Sequence, residues 1–148
     1  MTRSAWSILL ERARGEADRE RISVVRASQR VQQLEAQRDR LVTLRADYES
    51  RLREAQGQPH AITQSVNYRG FLGQIHGLME RLQQDLVSAE AVLAAARRQL
   101  IRAELECSKY ELLLEREKGK AHAVEAVAEQ RMLDAQGLSR FIQRQRAA

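Results

Sequence analysis

The side chains that most often carry catalysis or bind metal ions are few in this sequence and lie far apart. Its three histidines, His60, His76 and His122, lack both the i, i+4 spacing and the cysteine partners of a zinc site. Gly119-Lys120 is followed by Ala121 and lacks the upstream glycine of a phosphate-binding loop. We therefore expect no bound metal, no cofactor and no enzymatic activity.

The cysteine content and the apolar segments indicate where the protein works. Cys107 is the only cysteine, so it forms no disulfide within the chain and the fold needs no oxidising compartment. The first residues, MTRSAWSILLERAR, do not follow the pattern of a secretory signal. No segment approaches the roughly 20 apolar residues of a membrane-spanning helix. These features predict a cytoplasmic protein.

The composition is typical of long helices that meet along a seam. Aromatic residues make up 4% of the chain and charged residues 30%, with a single proline. The net charge of +5 invites a nucleic-acid interpretation. However, basic and acidic residues alternate along almost the whole chain, which is typical of solvated helix faces. We therefore do not expect nucleic acid as a partner.

Two long runs of apolar residues at steps of three and four predict two helices that pack as a coiled coil. The first extends from Trp6 to Leu52 and the second from Tyr68 to Ile142. Between them, Gly57 and Pro59 form the only strong break, so the fold class is all-α, a long antiparallel two-helix coiled-coil hairpin.

The predicted helices differ in length. The hairpin is expected to be one domain, residues 1–148, with helix 1 at about 3–56, a turn at about 57–64 and helix 2 at about 65–145. Thr63 or Ser65 is expected to cap helix 2. The last 25 to 30 or so residues of helix 2 would then project beyond helix 1 as a C-terminal helical overhang. This overhang ends in Arg140, Arg144 and Arg146 without an acid, which makes it a candidate basic end for contacting a partner.

The apolar face near the predicted turn is wider than a two-helix seam requires. Leu72 and Met79 flank the seam on helix 2, and exposed apolar surface usually marks a docking site. Three glycines in the same stretch, Gly70, Gly73 and Gly77, would leave a strip of bare backbone about 200° around the helix from Phe71. We expect a protein-docking surface here.

These residues resemble the FliJ family of flagellar export proteins over nearly the whole chain. The resemblance rests on the order of four segments, WSILLERARGEADRE, LVTLRADYESRL, NYRGFLGQIHGL and LSRFIQRQR. It implies a cytoplasmic component of the bacterial flagellar type III export apparatus, with the shape of a rotor stalk. Its implied partners are the hexameric export ATPase, the cytoplasmic region of the export gate protein FlhA, and export chaperones. Contact with the membrane would then run through these partners only.

The resemblance also implies which residues bind the export gate. They are aromatic and aliphatic residues of both helices near the turn: Leu41, Leu44, Tyr48, Phe71, Ile75 and Leu78. Leu44 stands where relatives often carry a second tyrosine, and Leu78 where a smaller residue is common. The ATPase contact is expected at the end of the hairpin that holds both termini.

Three other functions remain open at this point. An equivalent stalk protein of a virulence type III secretion system would share the architecture. A basic coiled coil that binds nucleic acid would need an arginine cluster without acids, which only the last ten or so residues approach. A homodimeric structural coiled coil would show the same periodicity.

Overall fold

Two long helices make up almost all of the protein. A computed structural model describes residues 3–58 and 61–147. Helix α1 extends over Ala5–Gln56 and helix α2 over Ala61–Ala147, and the part of the chain that the structure describes contains no strand. The two helices pack against each other, which confirms the predicted all-α hairpin.

At the turn, α1 ends where the sequence predicts, whereas α2 begins earlier than predicted. α1 ends at Gln56, where the N–H of Gly57 donates to the carbonyl of Glu54 at 3.3 Å. None of the described glycines has a positive φ, so α1 ends without the left-handed glycine that the sequence allows. α2 begins at Ala61, and Thr63 therefore lies inside the helix instead of capping it, as does Ser65. Residues 61–69 contain neither glycine nor proline, so the helix already includes the residues before Thr63. Pro59 and His60 lie outside the described residues.

The chain divides into two compact units, each with segments of both helices. The central unit is Ala17–Arg102, and the terminal unit combines Met1–Glu16 with Ala103–Ala148. The core of the central unit is a seam of aliphatic residues in which Leu34 is 2% exposed. Because its members recur at steps of three and four on each helix, one face of each helix is buried against the other. They are Val31, Leu34, Leu82, Leu86, Ala89 and Leu93.

The terminal unit holds the start of α1 against α2 by an aromatic pair and polar contacts. The rings of Trp6 and Tyr110 stack with centroids 6.1 Å apart. Arg14 pairs with Glu111 at 3.4 Å, and the hydroxyl of Ser4 donates to the carboxylate of Glu117. These contacts lie on the surface, so the packing of the rings and the burial of residues such as Leu10 contribute most of the stabilisation.

Every residue of α2 from Glu115 to Ala147 is exposed. We call this segment the exposed arm; at 1.5 Å per residue it is roughly 50 Å long. It confirms the predicted overhang. No helix among the described residues is both long enough and apolar enough to span a bilayer.

Candidate docking surface

Three aromatic rings meet where α1 and α2 pack in the central unit. The ring of Tyr48 stacks on Phe71, with centroids 5.3 Å apart and planes 19° apart. The ring of Tyr68 lies 5.9 Å from the ring of Tyr48, centroid to centroid, in a tilted arrangement. The guanidinium of Arg51 lies 5.5 Å from the centroid of the Tyr48 ring. Offset and tilted ring pairs of this kind stabilise by about 0.5 to 1.5 kcal/mol beyond the area they bury. Tyr48 is therefore held in place by contacts from both helices.

Several large apolar side chains beside this cluster face solvent. Phe71 is 49% exposed, Leu78 51% and Leu44 41%. At about 100° per residue, Phe71 and Leu78 lie at nearly the same angle on α2, displaced to one side of the buried Ile75. Leu44 on α1 is displaced from its seam in the same rotational sense as Phe71 on α2. Because the two helices are antiparallel, this places both side chains on the same side of the helix pair. We call Leu44, Tyr48, Phe71 and Leu78 the docking patch.

Two of the six residues that the family resemblance implies for gate binding do not lie on this open surface. Ile75 is only 3% exposed and belongs to the seam. Leu41 is half-buried, as Tyr48 is, but it packs against the core cluster of the central unit, whereas Tyr48 packs against the exposed Phe71. Both side chains pack between the two helices that carry the patch, where they fix the distance and register of these helices.

Sequence reasoning missed a shallow, open depression on α1 that borders the patch at Leu44. Its lining combines this leucine with two carboxylates, an arginine and a hydroxyl: Asp39, Arg40, Thr43, Leu44 and Asp47. The hydroxyl of Thr43 donates to the carbonyl of Asp39 at 3.0 Å, and Asp47 pairs with Arg51 at 3.2 Å. The carboxylates give this edge of the patch a polar rim. The spacing of Asp39, Thr43 and Asp47 at four-residue intervals is the signal that could have revealed it.

The three glycines of α2 border the patch on its other edge. A Cβ built at Gly70, Gly73 or Gly77 meets nothing within 4 Å, so the backbone is open to solvent at all three positions. The expected displacement of about 200° from Phe71 holds for Gly73, whereas Gly70 and Gly77 lie only about 100° to 120° away. The bare strip therefore lies a quarter turn or more around the helix from Phe71, with the polar Gln74 between them.

The basic end of the chain is separate from this surface in the sequence and in the folded units. Arg140, Arg144 and Arg146 lie on the exposed arm and belong to the terminal unit, whereas the docking patch belongs to the central unit. The described residues contain no group of three or more potential metal ligands.

Comparison with known families identifies the family of the chain. The family model of the flagellar FliJ protein matches residues 5–146, which is nearly the whole chain. The chain belongs to the FliJ family. This confirms the resemblance seen in the sequence and makes the protein a stalk protein of flagellar type III export, a family with a non-catalytic role. Neither a curated protein nor a solved structure matches the chain.

Proposed function

We propose that this FliJ-family protein is a cytoplasmic stalk that binds the hexameric export ATPase and couples it to the export gate FlhA. The observation that supports the proposal most directly is the docking patch, an exposed aromatic and aliphatic surface on a pair of packed helices. Family membership provides the export apparatus as the setting.

The gate contact is assigned to the docking patch because of its chemistry. Aromatic residues are enriched at the energetically dominant centres of protein interfaces, and Tyr48 and Phe71 are already ordered by their stacking. A partner that covers them therefore does not have to immobilise them, which lowers the entropic cost of binding. The carboxylates around Leu44 form a polar rim that fixes the orientation of the partner.

The ATPase contact is assigned to the exposed arm. The arm is a single helix about 10 to 12 Å across, and we propose that it enters the central bore of the ring-shaped ATPase. The arm carries large apolar side chains that no other part of the described chain covers, among them Val124, Val127 and Leu138. Its three terminal arginines are candidate contacts for acidic groups of the ATPase. Export chaperones are further partners, for which we assign no residues.

One experiment separates the two contacts. Full-length protein, a Tyr48→Ala, Phe71→Ala variant and a protein that ends at Gly119 are compared for binding to the gate region and for stimulation of ATPase turnover. We expect the double variant to lose about 2 kcal/mol or more of gate-binding free energy while it still stimulates the ATPase. The shortened protein should bind the gate normally and lose the stimulation.

Val87→Ala is the matched control for gate binding, because Val87 is an exposed apolar residue of α2 in the same unit. Circular dichroism establishes that each variant keeps its helices. If either variant keeps its fold and yet loses both activities, the assignment of the two contacts to separate surfaces is wrong.

A further inference from the structure

The last turns of α2, whose arginines are proposed above as contacts for the ATPase, have a second property. After Asp134 the chain contains no acid, while it contains Arg140, Arg144 and Arg146. The same stretch holds exposed apolar side chains, with Leu138 at 61% exposed and Phe141 at 57%. We call Gly137–Ala147 of α2 the basic end.

The apolar and basic side chains of the basic end lie on different faces. At about 100° per residue, Phe141, Leu138 and Ile142 fall within one arc of about 100°, which also includes Gln145. Arg144 lies about 60° beyond one edge of this arc, and Arg146 about 40° beyond the other. Arg140 lies farther around the polar face. The basic end is therefore an amphipathic helix whose apolar face is bordered by arginine on both sides.

The geometry points to an anionic lipid surface as the ligand of this face. A helix that lies in a membrane interface buries one apolar face among the acyl chains and extends its basic side chains to the headgroups. Arginines on both edges of the apolar face suit this arrangement, since lipid headgroups lie along both flanks of a helix in the membrane interface. Each basic residue near an anionic surface adds to the attraction.

The small apolar area of the basic end argues against a protein as the partner of this face. A specific protein interface typically buries about 800 Å² on each partner. Three apolar side chains on roughly three turns of helix provide much less than this. A lipid surface needs no matching shape, and it draws the helix in by charge as well as by apolar burial. This inference adds a direct membrane contact to the partner-mediated association expected from the sequence.

Vesicle sedimentation of the full-length protein tests the inference without any partner. Vesicles of phosphatidylcholine alone are compared with vesicles that contain equimolar phosphatidylcholine and phosphatidylglycerol. We expect the protein to sediment with the anionic vesicles only, and to be released as the salt concentration rises. Equal binding to neutral vesicles, or no binding to anionic ones, would overturn the inference.

Matched variants identify the face. Leu138→Ala should lower the partition into anionic vesicles about tenfold. Leu133→Ala should leave it unchanged, because Leu133 has the same exposure, 62%, but lies on the arm before the basic end. The Arg144→Gln, Arg146→Gln variant should lower the partition roughly 30-fold. Its control is Arg116→Gln, Arg131→Gln, which removes the same charge from another part of the exposed arm.

Two outcomes of the variant series contradict the inference. If the control variants lose as much binding as the variants of the basic end, the attraction is general charge and no face is involved. If the Arg144→Gln, Arg146→Gln variant loses ATPase binding while its vesicle partition is unchanged, an acidic protein surface is the occupant instead. All substituted side chains are exposed, so circular dichroism should show the same helix content throughout.

Discussion

Tyr48 of α1 and Phe71 of α2 stack with ring centroids 5.3 Å apart, and this contact joins the two helices at the docking patch. Phe71 is about half exposed, so the pair both ties the helices together and faces solvent. The two roles can be measured separately, because stability depends on the contact between the rings and binding depends on their open faces.

A double-mutant cycle should detect the contact. Tyr48→Leu and Phe71→Leu are made singly and together, and unfolding by urea gives the free energy of each variant. We expect a coupling of about 0.5 to 1 kcal/mol, since ring pairs contribute this much beyond the area they bury. Tyr48→Leu with Val87→Ala is the control pair and should be additive. Additivity of the ring pair itself would mean that the stacking contributes no stability.

Ile75 and Leu78 are neighbours on α2, but replacing them with alanine should have different effects on stability and on gate binding. Ile75→Ala should cost about 2 to 4 kcal/mol of unfolding free energy, because it opens a cavity in the seam. Leu78→Ala should cost less than about 1 kcal/mol, because its side chain is half exposed, but it should weaken gate binding. Denaturant titration and calorimetric binding test the pair. A smaller stability loss for Ile75→Ala than for Leu78→Ala would contradict the burial described for the seam.

Alanine at Gly70, Gly73 and Gly77 should stabilise α2. Each substitution meets open space, so it should add about 0.5 to 1 kcal/mol to the free energy of unfolding. If a partner approaches the bare backbone strip closely, the triple variant should also bind the gate more weakly. Gly119→Ala is the control, because it too meets open space but lies on the exposed arm. Unchanged gate binding by the triple variant would remove the glycine strip from the docking surface.

Tyr110→Ala should loosen the terminal unit and leave the central unit intact. Trp6 is the only tryptophan and stacks on Tyr110, so its emission reports on this unit alone. We expect the emission to shift at a lower urea concentration, while amide exchange at Leu34 stays slow. Leu112→Ala removes an exposed side chain nearby and should change neither signal. Equal loss of protection at Leu34 would show that the two units unfold together.

The apolar periodicity predicted the fold because the fold depends on apolar residues that recur at steps of three and four along both helices. The steps of three and four from Leu82 to Leu93 place one face of α2 against α1, and no single substitution changes that pattern. The helix boundary at the turn was less predictable. Thr63 and Ser65 are good caps in isolation, yet α2 begins at Ala61 because nothing in between interrupts a helix.

The candidate site was predictable in its residue types and less so in its exposure. Phe71 and Ile75 belong to the same apolar run on α2, and a one-dimensional pattern does not distinguish the centre of such a run from its edge. The packing of α1 decides this, since it covers Ile75 and leaves Phe71 open. The shallow depression around Leu44 was missed for a related reason, because in the sequence Asp39 and Asp47 resemble ordinary solvated residues and nothing shows that the leucine between them is exposed.

Leu44, Phe71 and Leu78 all lie on one side of the helix pair, and this makes the central unit directional about its long axis. A half turn about that axis carries the patch from a partner fixed on one side to the opposite side. Contact between the patch and such a partner therefore depends on the rotation of the helix pair about its long axis as well as on distance. If the protein turns within the export apparatus, a stationary gate would engage it during only part of each revolution.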